Sequence, residues 1–221
     1  MIQKSRVDFI KIIAGLVGVS IITCAIIFKI PLWDFLPLVI SVSVLFMQTG
    51  INRYAFILGG INSCLYAVAN IRMTLYVSAA YALLVSFPLQ IITFLLWQKN
   101  TERGKTKTKN LSTKGRLVLF GAMVVGWVLL YGIFSVFNSE YLVLDNTIAI
   151  LGIVGSVLCL LRYSEYSVLS LLSTPFNIYL YTVMTISDPS RVVWLIFNVY
   201  SLVCNVTTFI RMNKRGKENA G

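Results

Sequence analysis

A chain of 221 residues that is 57% hydrophobic and only 12% charged, with mean hydropathy +0.82, carries about half the charge of a soluble domain, which excludes an ordinary soluble fold. Its net charge of +11 would suit nucleic acid, but the basic residues cluster between apolar runs, and the most basic segment, 98–116, holds no aromatic ring to stack on a base, so no nucleic-acid partner is expected. Histidine is absent and no P-loop, HExxH or GxSxG stretch occurs, so the chain is not expected to be an enzyme, nor to use a cofactor or a metal.

Eight apolar runs, each long enough to cross a roughly 30 Å hydrocarbon core, are predicted as transmembrane helices at 10–28, 32–49, 54–70, 74–97, 117–137, 141–161, 166–185 and 190–210. The first follows Lys4, Arg6 and Lys11 and ends in Phe28-Lys29-Ile30-Pro31, with no small-x-small cleavage site, so it reads as a retained helix. The second opens on Trp33-Asp34, and the third carries Gly59-Gly60 and Asn62. The fourth holds Pro88 and Gln90 and ends at Trp97. A hydrophilic stretch rich in Lys, Thr, Asn and Gly then divides the spans four and four, and its composition predicts a mobile linker. After a linking fifth span, the sixth carries Asp145-Asn146 four residues in, the seventh contains Pro175 and Asn177, and the eighth contains Asn205. Cys24, Cys64, Cys159 and Cys204 lie inside spans with no CxxC pair and read as packing residues.

With eight spans, the N-terminus, the central loop and the tail share one side of the bilayer. Of the nineteen basic residues, only Lys29, Arg72 and Arg191 fall on the other. The positive-inside rule then places both termini and the central loop in the cytoplasm of a multi-pass protein of the cell membrane.

The chain repeats itself at an offset of 115. Ile61-Asn62-Ser63-Cys64-Leu65-Tyr66-Ala67-Val68 reads against Phe176-Asn177-Ile178-Tyr179-Leu180-Tyr181-Thr182-Val183, and Gln90-Ile91-Ile92-Thr93-Phe94 against Asn205-Val206-Thr207-Thr208-Phe209. Asp34 and Asp145 match at 111, which needs a four-residue difference in one loop. An even number of spans per half makes the repeats parallel. The expected organisation is an N-terminal segment and extra helix (1–30), a first three-helix repeat (31–97), the basic linker (98–116), a linking helix (117–138), a second three-helix repeat (139–211) and a tail (212–221).

Amides inside a bilayer cost several kcal/mol unless their hydrogen bonds are answered. Asn62 with Tyr66, and Asn177 with Tyr181, are four apart, so each pair presents an amide and a ring on one helical face. Such faces suit a flat, uncharged-to-cationic, hydrogen-bonding ligand such as a nucleoside or vitamin, and Gln90 and Asn205 would add further amides. The same amides also fit plain helix–helix hydrogen bonding. Pro88 and Pro175 free the carbonyls of Leu84 and Leu171, which fits helices bending around a cavity or a tolerated packing kink. Asp34 and Asp145 sit near the non-cytoplasmic ends of their spans, as caps, interface residues or the lining of a gate or vestibule. Trp33 and Trp97 lie at predicted interfaces, and Trp97 is grouped with the gate. No span buries several carboxylates, so nothing calls for obligatory ion coupling. The residues alone support a small-solute transporter for a vitamin, nucleoside, sugar or other neutral solute, with a non-transporting membrane scaffold or adaptor as the reading from another class.

The order and spacing of these features across 32–212 resembles the PnuC family of bacterial vitamin transporters. Gly60-Ile61-Asn62 followed by Leu65-Tyr66, Leu75-Tyr76 opening the next span, and Gln90 seven residues before Trp97 look like that family's motifs. Asp145 with Arg162-Tyr163-Ser164-Glu165-Tyr166, and then Asn177 and Asn205, are similar to its second half. The resemblance implies an all-α integral membrane protein with eight transmembrane helices: a SWEET-like 3+1+3 parallel-repeat core and one extra N-terminal helix. It implies facilitated diffusion of a vitamin precursor, foremost nicotinamide riboside, otherwise thiamine, riboflavin or a deoxynucleoside. The inner membrane would be the site and a cytoplasmic kinase the metabolic partner that traps the cargo by phosphorylation, and a homo-oligomer is compatible with it. The implied substrate-binding set is Asn62, Tyr66, Gln90, Tyr166, Asn177, Tyr181 and Asn205. One departure stands out: where the family carries WxxW after the charged turn, this chain has Tyr166-Ser167-Val168-Leu169, which keeps a ring at Tyr166 and none at Leu169.

Overall fold

The computed structural model describes residues 2–49, 52–99, 101–102, 105–106 and 109–218, with side chains described for 10–49, 52–96 and 109–213. Its helices are α1 (Ile2–Ile27), α2 (Leu32–Thr49), α3 (Tyr54–Arg72), α4 (Tyr76–Ala80), α5 (Phe87–Lys99), α6 (Thr113–Phe134), α7 (Leu142–Leu160), α8 (Tyr166–Ser187) and α9 (Val192–Glu218). A π-helical segment, Tyr81–Ser86, joins α4 and α5 into one span. Short 3-10 turns extend α6 (Ser135–Phe137) and precede α9 (Pro189–Arg191). Eight stretches are long and apolar enough to cross a membrane, and they coincide with the eight expected spans. Two antiparallel two-residue strands, Thr101–Glu102 and Lys105–Thr106, occupy part of the linker.

The differences from expectation have local causes. Pro88 has no N–H to donate to the Leu84 carbonyl, and the ladder just before it widens into the π segment instead of simply kinking. Pro175, by contrast, sits inside an α8 assigned as α-helix throughout. The fifth span starts at Thr113, four residues earlier than expected, because the Ser112 side chain caps it by accepting the Gly115 N–H. Thr74 and Arg162 take left-handed conformations (φ 59° and 64°) directly after α3 and α7, where each turns the chain back into the next span.

Packing pairs the elements two by two. α3 lies between α2 and α4–α5, and α8 lies between α7 and α9. Across the middle, α2 packs on α9 while α7 packs on α4–α5. In the two expected three-helix sets, α2–α5 and α7–α9, the first helix of each thus packs on the third of the other. α1 adds to one side, against α2 and α9, and buries Ile10, Ile21 and Ala25. α6 buries no residue and turns Leu117, Val118, Phe120 and Val128 outward, as a lipid-facing connector would. The main core cluster, with Leu38, Val42, Leu180, Met184, Val193 and Tyr200, fills the seam among α2, α8 and α9.

The expectation of a mobile linker is corrected for its last residues. Lys109 pairs with Tyr163 in a parallel bridge: its N–H donates to the Arg162 carbonyl (2.8 Å) and its carbonyl accepts from the Ser164 N–H (2.8 Å). Glu165 Oε1 accepts the Leu111 N–H (2.9 Å) and pairs with the Arg116 guanidinium (3.0 Å). The turn between α7 and α8 offers unpaired backbone groups, and this stretch of the linker satisfies them.

Candidate functional site

Two cavities, of about 340 and 310 Å³, lie between the repeats. They share Gln48, Tyr81, Ser86, Gln90, Asn177 and Asn205 as walls, so they adjoin at a common middle. The larger chamber extends to Thr93, Tyr166 and Thr208, toward the linker side. The smaller extends to Asn70, Ser78 and Trp194, toward the opposite side.

The middle is built from amides and hydroxyls. On α3, the Asn62 Nδ2 donates to Ser41 Oγ (2.7 Å) and to the Pro37 carbonyl (3.0 Å) of α2, and Ser41 donates on to the Tyr66 hydroxyl (2.9 Å). On α5, the Gln90 Nε2 donates to Ser86 Oγ (2.8 Å) and across to Ser63 Oγ (3.0 Å), while the two serines share a further hydrogen bond at 2.9 Å. Ser86 is the last residue of the π segment, so the widened ladder is what sets this hydroxyl in the wall. On α9, the Asn205 Nδ2 donates to Ser201 Oγ (3.2 Å) and across to Thr174 Oγ1 of α8 (2.9 Å). Asn177 differs, since its Nδ2 donates only within α8, to the Ser173 carbonyl (2.9 Å), and the side chain borders both chambers.

Three rings close the smaller chamber. Trp194 stacks on Tyr181 (centroids 5.1 Å apart, planes 20° apart) and meets Tyr66 edge-on (5.5 Å, 79°). Tyr166 lines the larger chamber, whereas Leu169, at the second position of the missing tryptophan pair, is buried against Leu151 and Leu158 and borders neither. Three wall residues each leave one buried polar atom without a protein partner: Asn62 Oδ1, Gln90 Oε1 and Trp194 Nε1. Glycines make the close approach possible. A Cβ on Gly59 would collide with the Gln90 amide, and one on Gly152 would stand 2.8 Å from the Tyr81 ring.

Of the roles expected for Asp34 and Asp145, the structure shows cap and interface contacts, and neither residue lines the two cavities. Asp145 is wholly buried and accepts the N–H groups of Val77 (2.9 Å) and Ser78 (3.0 Å), where α4 begins. A carboxylate there faces the positive end of the helix dipole and satisfies donors that would otherwise be orphaned. Asp34 stands in the matching place on α2, near the start of α9. It binds Arg72 Nε at 2.6 Å, with Arg191 at 3.8 Å. The side chain of Trp97, also expected at the gate, lies outside the described residues. Among the described residues, no three His, Cys, Asp or Glu side chains come together as a metal site.

The structure thus brings Asn62, Tyr66, Gln90, Tyr166, Asn177, Tyr181 and Asn205 to the walls of two adjoining cavities. The sequence reading missed Ser41, Ser63, Ser86, Tyr81, Trp194 and Ser201. A signal existed for two of them: Ser86-x-x-x-Gln90 and Ser201-x-x-x-Asn205 recur at the offset of 115. Trp194 had none, since its counterpart by that offset is Ala79.

Residues 31–212 match the family model described as nicotinamide mononucleotide transporter. The chain is 29% identical over 186 residues, covering 80% of its own length and 70% of the relative's, to the nicotinamide riboside transporter PnuC of Neisseria mucosa. It also superposes on the crystal structure of the vitamin B3 transporter PnuC with TM-score 0.81 at 22% identity, over 95% of this chain and 92% of that one, which establishes the shared fold.

Proposed function

The chain belongs to the nicotinamide mononucleotide transporter family, and we propose that it carries nicotinamide riboside through the membrane by facilitated diffusion. The observation that carries this reading is the pair of joined chambers between the repeats, walled by Asn62, Gln90, Asn177 and Asn205 with rings at Tyr66, Tyr166, Tyr181 and Trp194. Amides with spare lone pairs answer the hydroxyls and carboxamide of a pyridine nucleoside, and the rings face its flat heterocycle. The relative's name supports the same cargo.

In this mechanism the two repeats, arranged SWEET-like as three plus one plus three helices, rock about the shared middle. One chamber then the other reaches water, and the cargo stays on the same amides throughout. Asp34, Arg72 and Arg191 form the closure opposite the linker, and Asp145 holds α4 to α7 as one moving unit. Both termini and the linker face the cytoplasm, where a kinase phosphorylates the cargo and so keeps the gradient inward. Self-association in the inner membrane belongs to the same reading.

Leu169 in place of the second tryptophan favours one alternative, in which the cargo is thiamine, riboflavin or a deoxynucleoside. Uptake into proteoliposomes of labelled nicotinamide riboside, thiamine, riboflavin, thymidine and glucose decides between them. Saturable uptake of nicotinamide riboside that the unlabelled nucleoside competes away supports the first reading. Uptake of another vitamin alone replaces it, and no uptake of any nitrogen heterocycle sinks it.

A further inference from the structure

The turn that leads into the wall of the larger chamber is held from outside its own helices. Tyr166, which lines that chamber, is the first residue of α8. Glu165 precedes it at the N-cap position, yet its side chain makes no capping hydrogen bond. A side-chain cap is the usual local device for fixing a helix start. Here the carboxylate turns to the linker instead. It is mostly buried (14% exposed), accepts the Leu111 N–H at 2.9 Å and pairs with Arg116 at 3.0 Å. Just ahead of it the Lys109 backbone bonds Arg162 and Ser164 at 2.8 Å each, and the Ser164 hydroxyl donates to the Asn110 side chain.

The Leu111 side chain completes this seat. It packs on the buried cluster of Leu151, Leu158 and Leu169, the same cluster against which Tyr166 packs. The chamber wall at Tyr166 and the end of the linker therefore share one apolar support and one carboxylate. Ordering the linker end costs backbone entropy that a plain connector between two spans would keep.

We propose that Glu165 and Leu111 are positioning residues for the cargo: seated on each other, they fix where Tyr166 presents its ring to the larger chamber. The linker end then sets affinity without touching the cargo. Neither Glu165 nor Leu111 lines either cavity. A carboxylate that held cargo directly would have to face the chamber, and this one is committed to the linker. The assignment rests on the reading that nicotinamide riboside occupies these chambers.

Binding of labelled nicotinamide riboside to purified full-length protein separates a positioning role from a general loss of structure. Tyr166→Ala removes the ring and should weaken binding about tenfold. Glu165→Ala should weaken it about fivefold in the wild-type background and less than about twofold when Tyr166→Ala is already present, because the two changes act through one ring. Glu165→Gln keeps an acceptor for the Leu111 N–H and should hold binding within about twofold of the wild type. Losses that multiply in the double variant, no loss from either single change to alanine, or a Glu165→Gln as weak as Glu165→Ala overturns the assignment and leaves the transport reading intact. A wild type that binds no nicotinamide riboside overturns the assignment together with the proposed cargo.

Should Glu165→Ala fail to fold, Leu111→Ala decides. It changes the linker alone and keeps the hydrogen bond to Glu165, which the Leu111 backbone makes. Binding should weaken about threefold, and that effect should vanish beside Tyr166→Ala. No loss, or an equal loss in both backgrounds, overturns the assignment.

Discussion

Gln90 and Asn205, 115 positions apart, share a two-way bonding pattern, to which Asn205 adds a third contact, to the Ser170 carbonyl at 3.3 Å. Each amide nitrogen reaches back one turn to a serine on its own helix, Ser86 or Ser201, and across to a hydroxyl on the next helix, Ser63 or Thr174. The match is of kind and not of register, since the shorter asparagine reaches a hydroxyl one turn away from the equivalent place. Gln90 Oε1 has no hydrogen-bond partner and is packed against Gly59. The two amides thus sit on two different edges of the adjoining cavities.

Asn62 and Asn177, which looked equivalent in the sequence, should separate when each is changed to leucine. Asn62→Leu removes two bonds between α2 and α3 and leaves Ser41 with one partner fewer. About 1–2 kcal/mol should be lost, a fall in Tm of several degrees, together with uptake. Asn177→Leu breaks only a bond within its own helix, so Tm should stay within about 2 °C while uptake falls at least tenfold. Thermal unfolding in detergent beside proteoliposome uptake reads both; unimpaired uptake by the Asn177 variant would remove it from the pathway.

Asp145→Ala should be among the most destabilising single changes. It orphans the Val77 and Ser78 N–H groups in a site with no solvent access and leaves a void, a combined cost of about 3–5 kcal/mol. Asp145→Asn keeps one acceptor and should cost about half as much. Asp34→Asn should cost about 1 kcal/mol or less, because Arg72 is half exposed and its ion pair is screened. Melting temperatures of the three variants should fall in that order, and a mild Asp145→Ala would mean that α4 is held by packing alone.

Glu165→Ala should release the end of the linker. It removes the acceptor of the Leu111 N–H and the partner of Arg116, but spares the backbone pairing of Lys109 with Arg162 and Ser164. Global stability should fall by about 1–2 kcal/mol, since Arg116 is largely exposed but the mostly buried Glu165 carboxylate also leaves the Leu111 N–H without its acceptor. Limited trypsin digestion should cut at Lys109, Lys114 or Arg116 several times faster than in the wild type. An unchanged cleavage rate would show that the backbone bridge alone fixes this stretch.

The eight spans were legible because apolar length is a local signal. Six of the seven residues expected in the binding set, all of which line the two cavities, stood out by a fixed offset or by an amide where amides are costly, and Tyr166 by the family resemblance. The π segment was half legible. Pro88 announced a broken ladder, but whether a helix kinks or widens depends on neighbours that the one-dimensional pattern does not contain. The sequence left Asp145 open between cap and vestibule for a related reason. Its position four residues into a helix suggested water nearby, while its true partners are the backbone donors of α4, 68 and 67 positions away. Serines such as Ser41 and Ser63 gave no signal, because a hydroxyl can bond its own helix and is common in spans without any site.

Gly152→Ala tests how closely α7 may approach the π segment. An added Cβ would stand 2.8 Å from the Tyr81 ring, which is itself tied to Ser156 by a hydrogen bond of 2.8 Å. The ring must shift, and Tyr81 borders both chambers, so the change narrows their common middle and strains the Ser156 bond. Overpacking of this kind costs about 1–3 kcal/mol, so Tm should fall by several degrees. Uptake should suffer more than stability implies, with the half-saturating concentration of cargo raised at least fivefold. Gly155→Ala is the control for the clash alone: Gly155 lines the larger chamber too, but its Cβ would meet only Leu169, at an ordinary 3.8 Å. If both variants lose uptake equally, the loss comes from filling the chamber and not from displacing Tyr81.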